Sequence, residues 1–335
     1  MSEQYAIGVD LGGTKILAGV IELVTGRVVG LAKKKTAKGS TQDFMSRIYD
    51  AVDEAITAAK LPEGLNPTHL GIGVAGQVDR AKGILVAAPN LGVSSSLPIV
   101  ELLHQHYHIP VALGNDVEVA TLGELHFGAG KDYDNFLCIF VGTGIGGAIV
   151  HEGKPYRGIT GTAGEIGHMT ISADGRHCGC GGRGHLEAYA SRTAITRNLL
   201  GEMHRGRPSA LRQILPPEAL LDATSASSLA IRSKQIARAV EAQDELVLSV
   251  LNEAAHYLGL GLASVINFYN PRRIILGGGL IDAVDLFFHR ASQIARQESL
   301  SVPAASIEIV KAALGDYSGI VGAALLPLDS GHKPD

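Results

Sequence analysis

Cysteine is scarce in this sequence, and the scarcity limits the covalent chemistry that the chain can carry. Only three cysteines occur among 335 residues, which argues against a disulfide framework. Cys178 and Cys180 are too close for an easy bridge to each other, so they are interpreted as metal ligands. Cys138 falls within a buried-strand pattern and is interpreted as a small core residue.

The sequence also lacks a strong net charge and a long apolar run. Its formal charge of −4 gives no basic surface for nucleic acid, and no run approaches the roughly 20 apolar residues that span a bilayer. After Met1 an apolar strand follows at once, without the basic start or cleavage site of a signal peptide. We therefore expect a cytoplasmic enzyme that binds neither nucleic acid nor membrane.

A strand, a glycine turn and a returning strand occur twice in the sequence. The expected strands are Gln4–Asp10 with Lys15–Ile21, and Asn135–Val141 with Ala148–His151. Such a repeat predicts an internal duplication and paired domains. We expect the boundary between the domains near Asn115.

Further periodic segments predict an α/β protein with a mixed sheet. The expected helices are Thr41–Lys60, Glu241–Phe268 and Gly315–Leu325. The expected strands are Val28–Lys35, His69–Ala75, Val111–Gly114 and Arg273–Leu276. The polar, proline-containing segment Glu202–Ser225 predicts a surface excursion, and Asp329–Asp335 is expected to be frayed.

Three glycine clusters could contact a nucleotide. The spacing Gly142-x-Gly144-x-x-Gly147 matches dinucleotide-binding motifs, but a strand follows it where those motifs need a helix, which disfavours a nicotinamide enzyme. A hairpin whose backbone N–H groups face a phosphate fits better, and Gly12-Gly-Thr-Lys15 offers the same kind of turn. Gly277-Gly-Gly279 follows a strand and opens a helix near Ile281. Each cluster alone could be an ordinary tight turn.

Taken together, these segments resemble the ROK family. The resemblance rests on Asp10-Leu-Gly-Gly-Thr-Lys15, Gly142-Thr-Gly-Ile-Gly-Gly147, Leu276-Gly-Gly-Gly279, Gly164-Glu-Ile-Gly-His168 and Cys178-Gly-Cys-Gly-Gly-Arg-Gly-His-Leu-Glu187, and it covers residues 5–326. It implies a two-domain actin-like ATPase (ribonuclease H-like) fold, with mixed sheets flanked by helices and a central cleft. The implied domains are 1–115 with about 318–335, and 116–317.

The resemblance also implies an ATP-dependent hexose kinase of the glucokinase type and assigns roles to single residues. Asp116 is the expected catalytic base, although an Asp at a helix start could equally be an N-cap. The nucleotide and its Mg²⁺ are assigned to Asp10, Gly12, Gly13, Thr14, Lys15, Gly142, Thr143, Gly144, Gly277 and Gly278. The hexose is assigned to Asn90, Asn115, Asp116, Glu165, His168 and Glu187, of which Glu165 and Glu187 alone could be solvated charges.

One structural zinc ion is expected on His168, Cys178, Cys180 and His185. The family pattern has a cysteine where this chain has His185, and two thiolates with two imidazoles still make a closed tetrahedral set. The alternatives are a three-ligand site completed by water, or no metal.

The preferred hexose stays open between glucose and mannose, fructose, N-acetylmannosamine or N-acetylglucosamine. Family members often have Pro at the position of Ala75 and an aromatic residue in the loop that here spans 92–96, and both positions lie near the sugar pocket. A sugar-responsive ROK regulator and a kinase that uses polyphosphate are the competing functions. The resemblance further implies a homodimer or homotetramer.

Overall fold

The computed structural model describes residues 4–36, 40–88, 91, 96–215 and 231–329. The chain forms two compact units. Unit 1 comprises residues 1–132, 153–155 and 312–335, and unit 2 comprises 133–152 and 156–311. By contacts, residues 116–132 and 312–317 therefore pack with unit 1, whereas the resemblance assigned them to the second domain. The functional division of the chain stays a prediction.

Unit 1 is built on a five-stranded mixed sheet with the order β3-β2-β1-β4-β7. Its strands are β1 (Tyr5–Leu11), β2 (Lys15–Glu22), β3 (Arg27–Lys35), β4 (Pro67–Val74) and β7 (Val111–Asn115), with a separate hairpin of β5 (Gln77–Asp79) and β6 (Ile84–Ala87). Its helices are α1 (Thr41–Ala59), α2 (Ile99–Tyr107), α3 (Asp116–Phe127) and α11 (Ser318–Asp329). Strands β1, β2 and β3 are antiparallel, and β4 and β7 run parallel to β1.

The two faces of this sheet are covered in different ways. On one face α1 buries an apolar stripe that includes Phe44, Ile48 and Val52, and Ser40 caps its first turn. On the other face α11 lies directly on the strands, because a Cβ added at Gly8 would stand 1.8 Å from the carbonyl oxygen of Ile320. Only glycine allows a helix backbone to approach a strand this closely.

Unit 2 repeats this plan with the strand order β10-β9-β8-β11-β12. The strands of this sheet are β8 (Phe136–Val141), β9 (Ile145–His151), β10 (Lys154–Tyr156), β11 (Arg273–Gly277) and β12 (Glu308–Lys311). By contacts, the first two residues of β10 are grouped with unit 1. The helices of unit 2 are α4 (Glu187–Ala190), α5 (Arg192–His204), α6 (Ser233–Glu241), α7 (Glu245–Tyr269), α8 (Gly279–Ala283), α9 (Asp285–Glu298) and α10 (Ser301–Ser306). Again an antiparallel hairpin, β8–β9, is extended by two parallel strands, as an internal duplication predicts.

Helix α7 is the long apolar helix at the core of unit 2. Among the described residues it is the one helix long and apolar enough to cross a membrane, and 61% of its most apolar 18-residue window is buried within the protein. Leu251, Leu258 and Leu262 belong to a continuous hydrophobic core. Such burial is typical of a core helix.

Several expected boundaries differ from those in the structure. The helix expected from Glu241 is interrupted, because Asp244 caps α7 by accepting the N–H of Val247 and so begins a new helix. The second glycine turn is shorter than expected, since β9 starts at Ile145. The closing helix is preceded by a 3₁₀ turn, Gly315–Tyr317.

The expected surface excursion Glu202–Ser225 is only partly an excursion. Its first residues continue α5, and a 3₁₀ turn at Ala210–Gln213 buries Leu211 completely. Residues 216–230, and the expected frayed residues after Asp329, lie outside the described chain.

Candidate active site and metal centre

The first glycine turn joins β1 to β2 at one end of the sheet of unit 1. The N–H of Gly12 donates to the carbonyl of Lys15 (3.0 Å), and the hydroxyl of Thr36 donates to the carbonyl of Gly12 (2.7 Å). Lys15 also forms an ion pair with Asp316, with Nζ and Oδ1 3.2 Å apart. The predicted phosphate residues Gly12, Gly13, Thr14 and Lys15 thus form one turn.

Asp10 lies at the end of β1 beside the first residues of α11. A Cβ added at Gly319 would stand 3.0 Å from its carboxyl carbon, so a larger residue there would press on the Asp10 side chain. Burial, and to a smaller extent the charge of Asp116, raises the pKa of Asp10 to about 6, while Lys15 opposes the rise. The ionised form of Asp10 is therefore disfavoured in the free protein, and a bound cation would stabilise it.

The two acidic residues predicted for catalysis lie at the same edge of the sheet. Asp10 and Gly114 are both register partners of Gly73 on the intervening strand, so β7 brings Asn115 and Asp116 to this edge. Asn115 caps α3, because its Oδ1 accepts the N–H groups of Val117 (3.0 Å) and Glu118 (3.4 Å). The alternative that Asp116 is the N-cap is therefore wrong.

The segment before α11 is anchored by a buried carboxylate. Glu124 is fully buried and accepts the N–H groups of Ala129, Ala313 and Leu314 at 2.8–3.0 Å. The hydroxyl of Ser318 donates to it as well, at 2.9 Å. Glu124 thereby fixes the segment that carries Asp316 against the first glycine turn.

The second glycine turn joins β8 to β9 in unit 2 and is held by α5. The N–H of Arg192 donates to the carbonyl of Gly142 (2.9 Å), and the hydroxyl of Thr193 donates to the carbonyl of Thr143 (2.7 Å). In a trans peptide the C=O and N–H point in opposite directions, so the amides of Thr143 and Gly144 face away from α5. Two N–H groups of the turn are therefore directed to one side, as a phosphate site needs.

The predicted adenosine segment lies beside this turn. Gly277 ends β11 and is the register partner of Phe140 on β8. Gly278 has a φ of +93°, and a Cβ on it would stand 2.6 Å from the carbonyl oxygen of Val141. Within unit 2, the structure thus brings Gly142 of the second turn close to Gly277 and Gly278. These glycines follow the carboxyl ends of the parallel strands β8 and β11, a common position for nucleotide sites in α/β folds.

Four predicted zinc ligands converge in the loops between β10 and α4. The donor atoms of His168, Cys178, Cys180 and His185 all lie within 4.8 Å of one another. The Sγ of Cys178 is 3.7 Å from Nδ1 of His168, and the Sγ of Cys180 is 3.2 Å from Nδ1 of His185. Ligands on a tetrahedral zinc are about 3.3–3.8 Å apart, so these two pairs have about the spacing that the ion needs, and the set is compatible with zinc.

The loop that presents these ligands needs its glycines. A Cβ on Gly184 would stand 1.7 Å from the carbonyl oxygen of Ser172, and one on Gly182 would stand 2.4 Å from the ring of His185. Without a metal, burial raises the pKa of the Cys178 thiol to about 11. A bound cation would hold this thiol as the thiolate.

Three predicted sugar contacts surround this cluster. Nε2 of His168 lies 3.9 Å from a carboxylate oxygen of Glu165, on the opposite side of the ring from Cys178. Oε1 of Glu187 is 3.8 Å from Sγ of Cys178, while its Oε2 accepts the N–H of Ile145 at 2.9 Å. Glu187 therefore contacts both the group of predicted zinc ligands and the second glycine turn.

The other predicted sugar residues belong to unit 1. Asn115 uses its oxygen for capping, and its Nδ2 donates to the carbonyl of Gly76 at 3.5 Å. Asn90 lies outside the described residues.

Five residues that support one or the other glycine turn were not predicted from the sequence. These are Thr36, Glu124, Asp316, Arg192 and Thr193. No local pattern distinguishes them, since each acts on a segment far along the chain. The Ser191 capping signal could have predicted the start of α5, but not its contact with Gly142.

Comparison with known proteins identifies the family of this chain. The ROK family model matches residues 6–330. The chain belongs to the ROK family. This confirms the family predicted from the glycine and cysteine motifs.

Relatives and solved structures extend the likeness. The glucokinase of Streptomyces coelicolor is 34% identical and covers 98% of each chain. A ROK family glucokinase of Streptomyces griseus, solved with glucose and AMPPNP, has a TM-score of 0.79 at 32% identity and covers 96% of this chain and 98% of its own. The xylose repressor of Bacillus subtilis is 26% identical over 97% of this chain and 77% of its own length. The predicted actin-like α/β fold is confirmed.

Proposed function

We propose that this chain phosphorylates glucose at its 6-hydroxyl with ATP. Full-length likeness to glucokinases at 34% identity supports the activity. The observation that carries the proposal is the acidic edge of unit 1, where Asp116 starts α3 and its charge acts on Asp10. Phosphoryl transfer asks the protein mainly for alignment and charge neutralisation, and these two carboxylates suit a base and a metal contact.

Asp116 is the proposed catalytic base. It is the first residue of α3, at the carboxyl end of β7, and Asn115 is the N-cap of this helix. It would accept the proton of the sugar hydroxyl while that oxygen attacks the terminal phosphorus of ATP, whose bond to the bridging oxygen breaks and releases ADP.

The donor is proposed to be ATP with Mg²⁺. Asp10 would contact the metal ion, which usually keeps several of its waters and binds one or two carboxylates. The turns Gly12–Lys15 and Gly142–Gly144 would hold the phosphates, and Gly277 with Gly278 would adjoin the adenosine. Mg²⁺ would supply charge neutralisation on the phosphate oxygens.

The hexose is assigned to side chains that can donate and accept hydrogen bonds with vicinal hydroxyls. In unit 2 these are Glu165, His168 and Glu187, which lie at or beside the predicted zinc ligands. In unit 1 they are Asn90, Asn115 and Asp116.

A zinc ion on His168, Cys178, Cys180 and His185 is proposed as structural. Four protein ligands leave no open position for chemistry. The ion would fix the ring of His168 through Nδ1 and so direct Nε2 toward a sugar hydroxyl. We further propose a cytoplasmic homodimer or homotetramer, as the family resemblance implies.

Steady-state assays with a hexose panel and two donors test the proposal. We expect the highest kcat/KM for glucose with ATP, above the values for mannose, fructose and the N-acetylhexosamines, and little turnover with polyphosphate. A higher kcat/KM for another hexose would reassign the substrate, and polyphosphate turnover above that with ATP would reassign the donor. Sugar binding without any turnover would favour a regulator.

A further inference from the structure

Arg192 is a cation placed directly at the second glycine turn. Its backbone N–H donates to the carbonyl of Gly142, and its Nη2 donates to the hydroxyl of Thr143 at 3.0 Å. The residue is partly buried at the first position of α5. Backbone and side chain of one arginine therefore both hold the same turn.

The guanidinium of Arg192 has no acidic partner in the described chain. Other partly buried arginines differ: Arg80 pairs with Glu118, and Arg273 pairs with Glu308. Burial alone lowers the pKa of Arg192, with no carboxylate to oppose it. A partly desolvated cation without an anion is unfavourable unless a ligand supplies the negative charge.

The side-chain chemistry suits phosphate. A guanidinium carries five N–H donors in a planar fork that matches phosphate oxygens, and one of them is used on Thr143. The amides of Thr143 and Gly144 already face one side of the turn, so an anion bound there would meet backbone and side-chain donors together.

We propose that Arg192 contacts the terminal phosphates of the nucleotide donor and stabilises the charge that develops there during transfer. This inference rests on the proposed kinase function, because it takes the Gly142–Gly144 turn as a phosphate site. Arginines that meet a transferring phosphoryl group commonly contribute to turnover as well as to binding.

Binding and kinetics of Arg192→Ala test the inference. Loss of a charge-assisted contact should lower the affinity for a non-hydrolysable ATP analogue about 10–100-fold. It should lower the kcat/KM for ATP at least as much. Affinity for adenosine and KM for glucose should stay within about twofold, since neither ligand meets the guanidinium. Arg192→Lys should recover part of the loss. Arg197→Ala, an exposed arginine of the same helix, is the matched control and should behave like wild type.

Thr143→Ala separates a phosphate contact from a purely structural role. If Arg192 only positions Thr143, then the single variants and the double variant lose the same amount of ATP affinity. The proposal predicts a further loss in the double variant. It is overturned if Arg192→Ala binds the ATP analogue like wild type, or if it loses adenosine affinity equally. A wild-type protein that binds no nucleotide would instead remove the proposed kinase function itself.

Discussion

The turn between β1 and β2 and the turn between β8 and β9 close similar antiparallel hairpins, yet different side chains surround them. Near the first turn lie the carboxylates Asp10 and Asp316. The second turn is held by the cation Arg192. We expect the two turns to serve different tasks. The carboxylates near the first turn suit a metal ion and a base, and the arginine at the second turn suits phosphate, although the carboxylate of Glu187 also contacts that turn at Ile145.

The supports of the two turns differ as well. A buried carboxylate, Glu124, anchors the segment that meets the first turn. At the second turn, Glu187 bonds to Ile145 and reaches the predicted zinc ligand Cys178. The predictions below disturb these supports separately, in order of decreasing expected effect.

Asp116→Asn is expected to have the largest effect. Removing a general base commonly costs about 10²–10⁴-fold in kcat, and the other sugar contacts remain, so the variant should fold and bind glucose. Turnover and glucose affinity measured on the same preparation check this. The exposed Asp50 of α1 offers a matched control as Asp50→Asn. Activity of Asp116→Asn within a few-fold of wild type would remove the assignment.

Loss of the metal should have the second largest effect, and it should destabilise unit 2. Purified protein is expected to hold about one equivalent of zinc per chain. Chelation or His185→Ala should lower the free energy of unfolding by about 4 kcal/mol and raise the KM for glucose about tenfold, since His168 and Glu187 would lose their support. Less than about half an equivalent of zinc with full activity would contradict the metal site.

Glu124→Ala should disturb the other turn. It removes the acceptor of three backbone N–H groups, which should cost about 2–4 kcal/mol of stability, whereas the Ser318 hydroxyl can still donate to the carbonyl of Gly315. Urea unfolding measures this cost, with the exposed Glu63→Ala as the control that should change little. In the folded variant, KM for ATP should rise while zinc content stays constant. An unchanged midpoint would show that the buried carboxylate does not anchor the segment.

The smallest expected effect is a gain in stability from Asp10→Asn. The pKa of Asp10 is raised from 3.8 to about 6 in the fold, so its favourable contribution is complete below pH 4 and is lost as the pH rises through 6. At pH 7 the neutral amide should therefore be more stable by about 1–3 kcal/mol, although activity falls. Unfolding at pH 4 and pH 7 tests the sign, because the variant should gain at pH 7 and not at pH 4.

The sequence predicted those parts of the site that depend on local pattern. Apolar segments on either side of a glycine turn located both hairpins, and the Cys178-x-Cys180 spacing located the loop of the predicted metal ligands. Capping chemistry was harder to assign, because Asn115 and Asp116 are both competent caps and only the backbone decides between them. The start of α7 was not predicted, because its N-cap, Asp244, lies inside the segment Glu241–Phe268 that we expect as one helix.

Contacts between distant segments could not be predicted in this way. Glu124 reaches Leu314 across 190 positions, and Arg192 reaches Thr143 across 49. Neither residue stands in a motif, and each acquires its role from the packing of a helix end against a loop. The electrostatic difference between the two turns therefore became apparent only in the structure.

The magnesium dependence of nucleotide binding tests the division of tasks between the turns most directly. Affinity for a non-hydrolysable ATP analogue should be measured with and without Mg²⁺ in wild type, Asp10→Asn and Arg192→Ala. The account predicts that Asp10→Asn loses most of the strengthening by Mg²⁺, whereas Arg192→Ala binds more weakly in both conditions and keeps it. Equal strengthening by Mg²⁺ in wild type and Asp10→Asn would contradict the account.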